Sequence, residues 1–242
     1  MSVSEKSFRD RQGKAQLLKD AVASFTPAYA PADTALTVSS FQTFITSVGT
    51  ANTLVENLTV GYTNAATARV NLVKLIRATV TQAVGYVKSN KAWASQFKSV
   101  KAAADKMRGV RPPTGTKAPV EVPPGGPVPP AEVARSKGEQ GYVELAAHLG
   151  TFITALNACS PYTPTATGIS LATFGSLVTQ FNSANTSISN LTPPLTTARE
   201  ARRRLYYVGD CLEKKFQAVK EAVKGQYNQS SPEYLTVRGI RW

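Results

Sequence analysis

The chain of 242 residues has one histidine, two cysteines and a charged fraction of only 18%. Each shortage excludes something. Cys159 and Cys211 both lie in the second half, cannot form a disulfide framework, and read as small apolar side chains. With His148 as the sole histidine there is no Cys/His cluster at metal spacing and no Glu-X-X-His pair of the di-iron bundle type, so His148 reads as a helix residue that is solvated or hydrogen-bonded. A Walker loop and a Gly-X-Ser-X-Gly elbow are also missing, and the Asp and Glu residues are scattered. No catalytic residue, cofactor, metal site or small-molecule substrate is expected. No stretch approaches the roughly 20 uninterrupted apolar residues that span a bilayer. The opening "MSVSEKSFRDRQGK" has no apolar run after its first charges, unlike a secretory signal. The expected location is cytoplasmic, where the Asn-X-Ser/Thr triplets at Asn57, Asn185, Asn190 and Asn228 carry no glycan.

Low charge does not mean disorder here. Apolar residues make up 42% of the chain, enough to offset the entropy of ordering it.

The chain also repeats itself. At an offset of 133 residues, "SSFQTFITSVGTANTLVENLTVGYTNAATARVNL" aligns with "ATFGSLVTQFNSANTSISNLTPPLTTAREARRRL". Phe41 falls on Phe174, Ile45 on Val178, Val48 on Phe181, Val55 on Ile188 and Arg69 on Arg202. Shared helical periodicity would align the apolar positions. It would not also align Ala51-Asn52-Thr53 with Ala184-Asn185-Thr186, Asn57-Leu58-Thr59 with Asn190-Leu191-Thr192, and Tyr29-Ala30-Pro31 with Tyr162-Thr163-Pro164. The pattern reads as a tandem duplication. Downstream, "YVKSNKAWASQFKSVKAA" matches "AVKGQYNQSSPEYLTVRGIRW" once two to four residues are inserted.

Apolar steps of three and four predict helices throughout. Each copy is expected to have a leading helix (Leu18 and Val22; Leu145, Leu149, Phe152 and Leu156), then a Pro/Thr-rich loop. A helix beginning near Phe41 or Phe174 follows, then a longer one through Leu72 and Ile76 or Leu205 and Leu212. Thr192-Pro193-Pro194 is expected to stop a helix, with Thr197-X-X-Glu200 as the capping box of the next. Ser230-X-X-Glu233 predicts a short closing helix carrying Tyr234 and Val237. The expected fold class is all-α: two homologous helical bundles, each of three main helices plus a short terminal one, packed with pseudo-twofold symmetry. The expected organisation is a first repeat at 1–108, a Pro/Gly-rich crossover at 109–137 and a second repeat at 138–242. Prolines in the crossover favour extended polyproline II.

The terminal "VKGQYNQSSPEYLTVRGIRW" resembles the C-terminal ends of uncharacterised bacterial helical proteins, in its helix, its Gly/Asn-type break, its Ser-X-Glu-Tyr cap and its closing Val-X-Gly-Ile-Arg. The resemblance implies a helical fold and a bacterial origin, and it brings no activity.

Net charge is +13, which raises the prospect of an anionic partner. Between Asn57 and Ala104 there is no Asp or Glu, against Arg69, Lys74, Arg77, Lys88, Lys91, Lys98 and Lys101. On one continuous helix the first five of these fall within an arc of about 140°, with Ala68, Leu72 and Leu75 on the other side. The basic residues after Arg199 are instead interleaved with carboxylates, with Glu200–Arg204 and Asp210–Lys214 at i,i+4 spacing. These seven residues are the candidate anion-binding set. Few aromatic residues lie along that face, so base-specific single-strand recognition is not expected. The expected function is a non-catalytic structural or assembly role through protein–protein contacts, self-association included. The alternative is binding of nucleic acid or another polyanion by the basic face.

Overall fold

The structure, a computed structural model, describes residues 3–109 and 141–242. The expected crossover at 109–137 lies outside the described residues except for Gly109. Every regular element among the described residues is helical, so the chain is all-α. The helices are α1 (Val3–Ala23), α2 (Val38–Ser89), α3 (Ala94–Arg108), α4 (Tyr142–Asn157), α5 (Leu171–Tyr207), α6 (Leu212–Tyr227) and α7 (Pro232–Gly239). None is long and apolar enough to cross a membrane.

The two helices expected in the middle of the first half are one. α2 runs unbroken for 52 residues, about 78 Å at the α-helical rise. Nothing in it forces a stop, since it contains no proline. The expected stop at Pro193-Pro194 is also absent, because both prolines lie inside α5. Each removes an N–H and leaves the carbonyl four residues back, Ser189 or Asn190, without its helical donor. Ser189, Asn190 and both prolines are exposed, so water can take those carbonyls. Just beyond, Leu195 and Ala198 are buried with Val55 and keep the helix going. Thr197 therefore caps nothing, and Glu200 pairs forward with Arg203 and Arg204 at 3.4 and 3.3 Å.

The real break in the second half comes at Val208–Cys211, where Gly209 takes φ +68, a left-handed conformation that glycine adopts without steric cost. This break moves the ion pair of Asp210 from the expected Lys214 to Lys215, at 2.7 Å. The closing helix starts as expected, but its cap is Ser231, whose hydroxyl accepts the N–H of Tyr234, with Pro232 at the first helical position. In the first half the element carrying Phe97 and Val100 is the 15-residue α3, ended by Gly109 at φ +71.

The chain forms two compact units, and each draws on both halves of the sequence. Unit 1 comprises residues 1–63 and 189–242, and unit 2 comprises 64–188. In unit 1, Leu18, Val22, Phe41, Ile45 and Val48 share a core with Tyr206, Leu212, Phe216, Val219 and Val223. In unit 2, Ile76, Val80, Ala83, Val87 and Trp93 share one with Leu145, Leu149, Phe152, Leu156, Phe174 and Phe181. The leading helix of one half thus packs with the trailing helices of the other. α2 and α5 each begin in one unit and end in the other.

Because neither core can close from one half, cutting the chain between Gly125 and Gly126 at an inserted protease site should leave the two fragments co-eluting in native gel filtration and separating in urea. Fragments that part under native conditions would contradict the shared cores. Phe216→Ala should cost about 3–5 kcal/mol by urea denaturation, the usual cost of emptying a phenylalanine site in a packed core.

Candidate functional site

Unit 2 holds the cationic face. Its described residues include nine bases, Arg69, Lys74, Arg77, Lys88, Lys91, Lys98, Lys101, Lys106 and Arg108, against two carboxylates, Asp105 and Glu144. The seven candidates differ in their surroundings. Arg69 lays its guanidinium 3.5 Å from the ring centroid of Tyr142 on α4. Arg77 donates from Nε to the carbonyl of Met107 at 3.1 Å, placing a cation at the negative end of the α3 dipole. Lys101 pairs with Asp105 at 2.8 Å, just past the acid-free stretch. Lys91 sits in a 3₁₀ turn, Lys91–Trp93, beyond the end of α2. Lys74, Lys88, Lys91 and Lys98 are exposed.

Beside Lys74 an uncharged groove of about 650 Å³ opens between α2 and α5. α2 lines it with Ala68, Asn71, Leu72 and Leu75, and α5 with Thr179, Gln180, Ser183, Ala184 and Ser187. Both sets recur at three- and four-residue steps, so each is one helical face. The groove exists because Ala68, Ser183, Ala184 and Ser187 are too small to fill the space between two helix backbones. Leu75 is 53% exposed at its edge. Lys74 lies about 60° round the helix from Asn71, on the rim. The α5 wall belongs to a segment, 171–198, with no charged residue at all.

Unit 1 contains a polar network instead. Asn52, only 3% exposed, donates from Nδ2 to Gln12 Oε1 at 2.8 Å and to the Tyr206 hydroxyl at 2.9 Å. Tyr206 donates in turn to the carbonyl of Phe8 at 2.7 Å. Arg202, 4% exposed, sits 4.1 Å from the ring centroid of Phe8. Arg9 binds Glu56 through both side chains and holds its carboxyl below the usual carboxylate range by hydrogen bonding. α1 comes close to α2 here, since a Cβ on Gly49 would lie 2.7 Å from Gln12 Nε2. Every polar contact in this network joins elements of unit 1, and the arrangement positions helices.

Among the described residues, no three His, Cys, Asp or Glu side chains are grouped so as to hold a metal ion. Cys159 and Cys211 are both buried, and burial pushes the Cys159 thiol up. Sequence reasoning placed Ala68, Leu72 and Leu75 on one face of α2 but missed the groove, because its second wall comes from 111 residues further along, at Thr179 against Ala68. No known protein family, curated protein or solved structure matches the chain.

Stability should separate the buried arginine of unit 1 from the exposed lysines of unit 2. Arg202→Met should destabilise unit 1 by about 1–2 kcal/mol in thermal denaturation, since a desolvated cation–π contact is worth up to about 2 kcal/mol. Exchanging Lys74, Lys88, Lys91 and Lys98 for Glu should leave the melting temperature nearly unchanged, because exposed charges contribute little. Burial also pushes the Tyr29, Tyr162 and Tyr206 hydroxyls up to about 12 from 10. Below pH 10 both folded and unfolded chains keep these protons, and above it the unfolded chain loses them first, so stability should fall from about pH 10 upward. Absorbance at 295 nm should show these three of the nine tyrosines ionising together with loss of the helical signal.

Proposed function

We propose that the chain is a duplicated, non-catalytic assembly protein that works in the cytoplasm through protein–protein contacts. The two copies would be related by pseudo-twofold symmetry, with the Pro-rich segment as crossover, and each would complete the other's core. Two features support the duplication. Arg69 and Arg202, at the 133-residue offset, each stack on an aromatic residue at or near the start of the other half's leading helix, Tyr142 and Phe8. Further along, Val87 and Val223 are 136 residues apart, and the additional residues fall at the α5–α6 break.

The observation that carries the functional reading is the groove. Its exposed lining has no charge and keeps Leu75 in water, on a unit that exposes Lys74, Lys88, Lys91 and Lys98. An uncharged surface with apolar side chains between two helices is suited to packing against a third helix. Self-association is one form of such packing. A photo-crosslinking amino acid at Leu75 should give protein adducts in cells making the protein, and the same group at Leu235, on α7 with a similar exposure of 51%, should not. No adducts at Leu75, or equal adducts at both sites, would sink the proposal.

A second reading is favoured by the exposed lysines. If Lys74, Lys88, Lys91 and Lys98 contact a polyanion, exchanging all four for Glu should release the protein from heparin at clearly lower salt, and retention should fall steeply between about 50 and 200 mM salt. Exchanging Arg203, which pairs with Glu200, together with Lys214, which follows Glu213 in the sequence, and Lys220, which precedes Glu221, should shift elution less. Equal shifts would mean that only net charge matters.

A further inference from the structure

The unit 2 groove is uncharged along its walls and has one ammonium group, that of Lys74, on its rim. Neither lining helix carries a carboxylate between Asn64 and Ser89 on α2 or between Leu171 and Ala198 on α5. A partner that fills the groove therefore meets apolar and hydroxyl groups at its centre, the Lys74 ammonium at its edge, and no carboxylate on either wall. A second copy of the same face suits this poorly. Two concave grooves offer each other no ridge to insert, and a twofold contact would bring Lys74 against or near its own counterpart. A helix with an apolar stripe flanked by carboxylates suits it on both counts.

Building on the interaction role proposed above, we infer that this groove is the docking site for an acidic amphipathic helix of a partner protein. The apolar stripe of that helix lies along Leu72 and Leu75. Ala68, Ser183, Ala184 and Ser187 let its backbone come close, as small residues do at helix–helix contacts. Its carboxylates face Lys74. Charge complementarity of this kind sets partner choice and encounter rate, and the apolar contact supplies the affinity.

The test uses the full-length protein and three fluorescein-labelled synthetic peptides of about 18 residues, long enough for five helical turns. The first carries leucines at i, i+3, i+4 and i+7 flanked by Glu, the second keeps the leucines with Lys in place of Glu, and the third is a scrambled form of the first. Fluorescence anisotropy should show saturable binding of the first peptide alone. Ser183→Trp fills the groove and should abolish this binding. Leu75→Glu should weaken it about tenfold or more, and Lys74→Glu should weaken it by a similar factor while admitting the Lys-flanked peptide. All three positions are exposed, so an unchanged circular dichroism spectrum is expected in each variant. Equal binding of the scrambled peptide would overturn the inference in favour of general attraction to anions. Undiminished binding by both Ser183→Trp and Leu75→Glu would overturn it by placing the contact elsewhere. Adducts at Leu75 without binding of the Glu-flanked peptide would overturn the acidic helix while leaving the interaction role standing. A concentration-dependent mass in light scattering that Ser183→Trp abolishes would replace the partner helix with a second copy.

Discussion

Everything in this protein depends on apolar faces from distant parts of the chain meeting in shared cores. Phe41, Ile45 and Val48 have no buried core until Phe216, Val219 and Val223 arrive from the other end of the sequence. Phe174 and Phe181 likewise need Ile76, Val80 and Val87. Each such side chain contributes about 1.5–3 kcal/mol when fully buried. The surface ion pairs are smaller, since they are exposed and each is worth about 1 kcal/mol or less.

This constraint explains the long helices. A helix that belongs to one core at its start and another at its end must cross the interval between them. α2 does so without a proline, and α5 does so in spite of two. Proline in a helix interior costs about 3 kcal/mol or more, which is why the sequence predicts a stop there. The cost falls at an exposed point, and buried residues on each side, Ile188 before and Leu195 and Ala198 after, offset it. Helix faces were therefore legible from spacing, as was the cap region of α7. Helix ends were not, because tertiary burial outweighs local propensity at Pro193 and because Gly209 marks a stop that no apolar period announces.

Contacts with distant parts of the chain also sort the basic residues. From sequence, Arg69 and Arg77 look like members of one cationic stripe with Lys74 and Lys88. The ring that takes Arg69 and the carbonyl that takes Arg77 belong to Tyr142 and Met107, residues 73 and 30 positions away, so no local pattern reveals them. Arginine is suited to such duty, because its planar, weakly hydrated head stacks on rings and forks onto carbonyls while its stem packs. The exposed lysines keep their hydration and their freedom. A charge map drawn from sequence alone therefore overstates the number of cations available to a partner, and it overstates it most where arginine lies close to a core.

The uncharged run of α5 is the feature that stability does not explain. Solvent-facing helix positions are ordinarily filled by Glu, Lys, Arg and Gln, which favour the helix and add i,i+4 pairs. Residues 171–198 instead present Ser, Thr, Asn and Gly to solvent, types that are neutral to unfavourable in a helix interior. Several of these hydroxyls bond back to the carbonyl four residues earlier, Thr179 to Gly175, Ser187 to Ser183 and Thr196 to Thr192, which hides the polar group against the helix and leaves a smooth outer surface. Such a helix is held by its buried face, Phe174, Leu177, Phe181 and Ile188, while its outer face gives up the stabilising pairs that charged residues would supply. A face that forgoes stability in this way, and that leaves both charge and bulk out of the space beside Leu72 and Leu75, has the composition expected where another helix comes to lie.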